Sequence, residues 1–157
     1  DGQGIILYGC WDSVLDHCFA EGNLNAGLSL FGDEWCRVVQ RCRIVDCTAA
    51  DNVCDLALAG NVVDSEVVNS TFLCERGYKA MDVAAFHPTD VRRVALWGNT
   101  FRSSQAGKIM LEAVPGLAGI SGLMANTWDA PSPSYYLSRG RTFDKIGDAL
   151  AAEPVSL

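Results

Sequence analysis

The stretches Val67-Val-Asn-Ser-Thr-Phe72, Leu96-Trp-Gly-Asn-Thr-Phe101 and Leu123-Met-Ala-Asn-Thr-Trp128 share one pattern: two apolar residues, any residue, a polar one, Thr, an aromatic. Val14-Leu-Asp-His-Cys-Phe19 and Val38-Val-Gln-Arg-Cys-Arg43 fit it with Cys for Thr, Arg43 alone departing at the aromatic end. The five copies begin 24, 29, 29 and 27 residues apart. Upstream of them runs a second series: Gly4-Ile-Ile-Leu-Tyr-Gly9, Gly27-Leu-Ser-Leu-Phe-Gly32 and Asp55-Leu-Ala-Leu-Ala-Gly60. Asp82-Val-Ala-Ala-Phe86 and Lys108-Ile-Met-Leu-Glu112 continue it without the glycine. A fixed period of this size marks a repeat architecture.

Apolar positions alternate over two to five residues and each run ends in Gly, Asn or Asp, which is strand periodicity with turn punctuation. No amphipathic helical stripe occurs before residue 140, so helical solenoids are excluded. The Leu-x-x-Leu-x-Leu frame of leucine-rich repeats is also missing. What remains is a coil of short strands, each turn lying about 4.8 Å above the last in parallel register.

These motifs resemble the right-handed parallel β-helix of pectate-lyase-like proteins, a group that includes phage tailspikes. The resemblance spans residues 4–134 as five turns. It implies an all-β fold, with 1–134 forming the β-helix and 135–157 a C-terminal capping segment. In that segment Tyr135-Tyr-Leu137 begins a partial sixth strand. Thr142 N-caps a short helix over about 143–152, with Phe143, Ile146, Ala149 and Leu150 on one face.

The 157 residues suit one domain with a real core. Twelve Lys and Arg against nineteen Asp and Glu, a net charge of −7, argue against a surface for nucleic acid or anionic lipid. No apolar run approaches the length of about 18 residues needed to cross a bilayer. No targeting segment is visible, and the opening Asp1-Gly-Gln-Gly-Ile5 reads as a continuation of a longer coil. The seven cysteines lack metal-type spacing and are expected as reduced core residues.

Stacked turns should align their inward residues. The expected ladders are Ile5, Leu28, Leu56, Val83 and Ile109; Leu7, Leu30, Leu58, Ala85 and Leu111; Val14, Val38, Val67, Leu96 and Leu123; and Phe19, Phe72, Phe101 and Trp128. Each large side chain so buried contributes about 1.5–3 kcal/mol. Cys18, Cys42, Thr71, Thr100 and Thr127 form a further row. His17, Arg41, Ser70, Asn99 and Asn126 occupy the tight turn. Leu15, Val39, Val68, Trp97 and Met124 form an apolar row that either faces outward, as a subunit contact, or is turned in by a local bend.

The resemblance implies a carbohydrate-active module: a polysaccharide lyase, a hydrolase or a tailspike-like depolymerase. Its substrate would lie in a groove beside the first sheet, and the setting would be extracellular or virion-associated. A non-catalytic, oligomeric stalk, most simply a trimer, is the alternative. The outward row on the first sheet is expected to be Gly4, Gly27, Asp55, Asp82 and Lys108. Asp55 and Asp82 would then stand one rung apart, at about 5 Å. Carboxylates that close split their pKa values and can divide acid and base roles, or hold Ca²⁺. A surface ion ladder is the plainer reading of the same row. Lys108 would read acidic sugars.

His87, in Phe86-His-Pro-Thr-Asp90, is a candidate general acid or base, although a lone His beside Pro also suits a plain turn. Trp11 and Trp35 would align as a stacking platform, with Lys79 among the loop residues that could touch sugar. Apart from Ca²⁺, no cofactor is expected. GxSxG, P-loop, HExxH and dinucleotide-binding fingerprints are all missing.

Overall fold

The structure, a computed structural model, describes residues 2–33, 37–84, 90–114, 116–137 and 140–152. It is an all-β parallel solenoid of about five turns with a short C-terminal helix. The long sheet stacks Ile5–Tyr8, Ala26–Phe31, Cys54–Ala59, Lys79–Ala84, Ile109–Ala113 and Ser134–Leu137 in parallel. A second sheet is built from Val14–Asp16, Arg43–Val45, Glu66–Val68, Val94–Trp97 and Ile120–Ser121. A third comprises Phe19–Glu21, Thr48–Ala50, Thr71–Leu73, Thr100–Arg102 and Thr127–Asp129. A small corner sheet of Val39–Gln40, Val62–Val63 and Val91–Arg92 lies between the long and second sheets.

The core is a set of vertical ladders. Leu28, Leu56 and Met81 stack in register, as do Leu30, Leu58, Val83, Ala113 and Leu137. Leu15, Ile44, Val67 and Leu96 line the second sheet from inside. Ala20, Ala49, Phe72, Phe101 and Trp128 follow one another in the third. Its three rings lie nearly flat on each other, with centroids 4.8 and 4.2 Å apart.

Several expected ladders are corrected by this register. Val83 lies over Leu58, not Leu56, and Ile109 over Lys79; Ala85 falls outside the described residues. In the first two turns Leu15 and Ile44 face inward, where Val14 and Val38 were expected. Phe19 is 60 % exposed and pairs with Thr48, so the first aromatic sits outside the wall. Of the expected apolar row Leu15, Val39 and Val68 are buried, while Trp97 and Met124 are exposed, so the row divides between core and surface. Leu123 starts a 3₁₀ turn, Leu123–Ala125, and is buried there.

The corners explain the polar positions of the repeat. At the bend from second to third sheet, the N–H of Cys18 donates to Cys47 Sγ (3.3 Å) and that of Cys47 to Ser70 Oγ (3.1 Å). The Ser70 N–H donates to Asn99 Oδ1 (2.9 Å), and the Asn99 N–H to Asn126 Oδ1 (3.0 Å). Each residue here must accept a buried backbone donor from the turn below, which Cys, Ser and Asn can all do. Cys18 and Cys47 therefore occupy the places expected for His17 and Arg41, and Cys42 belongs to an earlier corner.

Before the second sheet, Asp12, Arg41, Asp64 and Arg93 recur with φ of 53°, 53°, 50° and 52°. Arg41 grips Asp12 through two bonds of 2.6 and 2.7 Å, and Arg93 grips Asp64 at 2.5 and 2.9 Å. Bonds from Arg93 and Gln40 hold the Asp64 carboxyl down at about 2.

At the C-terminal end Arg141–Phe143 pairs antiparallel with Ser134–Leu137. Thr142 and Phe143 are thus strand residues, and the helix runs over Ile146–Ala152 instead of starting at 143. Thr and Phe favour a strand, and the last parallel strand presents an edge that needs a partner. Ala149 is buried, and Ile146 and Leu150 pack on the core.

Truncating the central ring, Phe101→Ala, should cost about 3–5 kcal/mol in urea-induced unfolding. Phe19→Ala should cost less than about 1 kcal/mol, since that ring stays in solvent. Equal losses would contradict the aromatic ladder.

Candidate functional site

The outer face of the long sheet carries the row Ser29, Ala57, Asp82, Glu112 and Tyr136, one residue per turn. Lys79, in the same strand as Asp82, places Nζ 3.0 Å from Asp82 Oδ2 and 2.7 Å from Glu112 Oε2. One ammonium thus bridges carboxylates of successive turns. Burial pushes the Asp82 carboxyl up and outweighs the opposing Lys79 charge. Burial also lowers Lys79, but bonds and charges from Glu112 and Asp82 raise it more, so the ammonium persists.

Beside this triad the outward residues shrink. Ala26, Ser29, Ala57 and Ala59 leave a cleft of about 220 Å³ whose walls include Gln3, Asn25, Phe31 and Asp82. Small outward side chains between larger ones are the physical cause of the depression. Phe31 stacks on Tyr8, with centroids 5.2 Å apart and planes at 19°. Tyr8 is held in turn: its hydroxyl donates to Asp33 Oδ2 at 2.6 Å, and the Arg37 guanidinium lies 4.9 Å from its ring centroid. The aromatic wall is therefore supported from behind.

Asp82 and Lys79 are the two expected site residues brought together here, although Lys79 starts a strand instead of belonging to a loop. Asp55 is not beside Asp82. Asp82 pairs with Ala57, and the position opposite Asp55 is Ala80. Of the row expected to face outward, Gly27 and Asp55 instead turn inward at this corner. A Cβ on Gly27, the residue opposite Asp55 in the turn below, would meet Ala49 of the core at 3.1 Å and the Asn52 side chain at 2.3 Å.

Asp55 is fully buried, and its Oδ1 accepts from the N–H and side-chain amide of Asn52 at 3.1 and 2.9 Å. Its Oδ2 has no hydrogen-bond partner among the described residues, and burial raises the carboxyl to about 7 despite the Asn52 bonds. Asp55, buried in the wall, and Asp82, on its outer face, are therefore not the rung neighbours that a paired-carboxylate site on this row would need.

Lys108 donates to the carbonyls of Gly77 (2.7 Å) and Glu75 (3.3 Å), fastening one loop to the next. Trp11 is 63 % exposed, and its neighbour in the second turn is Gln40. Trp35 and His87 lie outside the described residues. Among the described residues, Asp16, His17 and Asp46 bring ligand-type atoms within 4.8 Å of one another. All three are exposed, and the His17 ring is already bonded to Asp16 at 2.6 Å.

Glu112, Phe31, Tyr8 and Ser29 belong to the site but were not singled out from the sequence. Each sits at an outward position of the repeat motif, so correct alignment of the turns is the signal that would have found them. Comparison with known proteins yields no matching family model, no similar curated protein and no matching solved structure.

The buried Asp55 makes stability pH-dependent. Its folded-state pKa of about 7 exceeds the ordinary 3.8, so the folded state binds this proton more tightly than the unfolded chain. The stabilisation is complete below pH 3.8 and is lost as pH rises to about 7. At about 1.4 kcal/mol per unit the total is on the order of 4 kcal/mol. Urea midpoints of the wild type, compared with Asp55→Asn, should fall more steeply between pH 5 and pH 8, apart from changes common to both.

Proposed function

We propose that the chain is a carbohydrate-active β-helix module that seats an oligosaccharide on the outer face of its long sheet. The observation that carries this reading is the cleft walled by Phe31 on one side and by Asp82, with Lys79 and Glu112 behind it, on the other. A sugar ring has an apolar face and a rim of hydroxyls. The Phe31 ring, backed by Tyr8, suits the first, while Asp82, Gln3 and Asn25 suit the second.

A solenoid repeats its outward positions at the spacing of its strands, which suits a polymer lying across successive turns. Asp82 and Glu112, one rung apart and both on the Lys79 ammonium, are the carboxyl pair available for acid–base work, Asp82 being the one whose carboxyl burial raises. A pair of carboxyl groups on adjacent rungs is the chemical equipment most glycosidic cleavage uses.

A panel of neutral and uronate-containing oligosaccharides, titrated calorimetrically and assayed for new reducing ends, tests the reading. Phe31→Ala should weaken binding about tenfold, the contribution of one stacked ring. Asp82→Asn should abolish cleavage while leaving the circular dichroism spectrum unchanged. Absence of binding across the panel at millimolar sugar would refute the proposal.

A further inference from the structure

The first turn is the end of three sheets: Ile5–Tyr8, Val14–Asp16 and Phe19–Glu21 each pair on one side among the described residues. It is also the least buried turn, with Ile5 and Leu7 half-buried and Val14 and Phe19 exposed. At the step from this turn to the second, two thiols approach each other. Cys10 Sγ lies 3.7 Å from Cys42 Sγ, and the Cys42 thiol also reaches the Cys10 carbonyl at 3.4 Å. Cys10 is half-exposed, whereas Cys42 is buried. Both are free thiols.

We propose that Cys10 and Cys42 form a reversible disulfide that staples the first turn to the second, made by exchange with a low-molecular-weight disulfide such as oxidised glutathione. A disulfide needs its sulfurs at about 2.05 Å. The two atoms must close by roughly 1.6 Å, which side-chain rotation of the half-exposed Cys10 can supply.

The Cys10 thiolate attacks one sulfur of the small disulfide. A mixed disulfide forms, the reagent's S–S bond breaks and one glutathione thiolate leaves. Cys42 then gives up its proton and attacks the Cys10 sulfur. The protein disulfide forms and the second glutathione thiolate is expelled. Two protein thiols are oxidised, one glutathione disulfide is reduced, and the two released protons end on the two glutathione thiols. The order of attack follows access: solvent reaches Cys10, while burial pushes the Cys42 thiol up and keeps it protonated until its neighbour is activated.

Cys18 and Cys47 bridge the same two turns as direct rung neighbours, the Thr48 N–H donating to the Cys18 carbonyl. Their thiols make the same kind of corner contact as Cys42, which also reaches the Gln40 carbonyl: Cys18 with the Asp16 carbonyl, Cys47 with those of Val45 and Leu15; the 3.7 Å approach of the two sulfurs is what distinguishes Cys10 and Cys42. This pair is therefore the internal comparison.

The folded protein is incubated at pH 8 in glutathione buffers of graded oxidation, its free thiols are alkylated, and digested peptides are mapped by mass spectrometry. A Cys10–Cys42 cross-linked peptide is expected, with a Tm on the order of 10 °C above the reduced form for a bond closing this length of chain. Cys10→Ser, on the exposed side, should remove both the cross-link and the shift. Cys42→Ser should leave Cys10 carrying a glutathione adduct. Detection of only that adduct in the wild type, of a Cys18–Cys47 bond in its place, or of no oxidised species would each overturn the assignment.

Discussion

Everything in this molecule depends on backbone donors of one turn meeting acceptors of the next at each level of the coil. Along the strands the acceptors are carbonyls, and the parallel ladders supply them. At the corners the chain bends and the carbonyl ladder breaks. Side chains complete it there, through Cys47, Ser70, Asn99 and Asn126 at one bend and Asn52 at another. A buried N–H without a partner costs about 1–3 kcal/mol, so a corner residue that cannot accept would weaken two turns at once. The apolar ladders then fill the interior of a frame whose vertical order is already set.

That frame also decides where chemistry can occur. Inward positions are committed to packing, and Asp55 shows the cost of placing a carboxyl among them: one oxygen is paired with Asn52 and the other is orphaned. Outward positions are free to vary in size and charge. On the long sheet the run Ala26, Ser29, Ala57 and Ala59 hollows the surface, while Lys79, Asp82 and Glu112 supply charge at its margin. The cleft and the triad are therefore outcomes of side-chain choice on a rigid face, which keeps such a site preorganised.

The period, strand alternation and cap were legible in the sequence because they repeat or punctuate. Register was legible only in part. Ala80-Met-Asp-Val83 is the segment that stacks over Asp55-Leu-Ala-Leu58, yet Asp82-Val-Ala-Ala85 fits the motif equally well. A slip of two residues leaves every side chain on the same face, so hydrophobic alternation cannot detect it. The error moved Asp82 into the wrong row and hid Glu112. Asp55 was misread for a different reason. The strand bends at Asp55 and Leu56, both are buried, and strict alternation fails at that point. Phe19 falls one residue off the core position because Ala20 fills the place that an aromatic first fills two turns later.

The ion ladder at the first corner has a longer period than the coil that carries it. Asp12, Arg41, Asp64 and Arg93 alternate in sign, and each carboxylate is clasped by the guanidinium above it. Deleting or duplicating a single turn in the middle would set Arg on Arg or Asp on Asp at a bend where side chains stack closely. Removing or inserting two turns would preserve the alternation. Along this stretch the electrostatic repeat is accordingly a pair of turns, twice the repeat of the backbone coil.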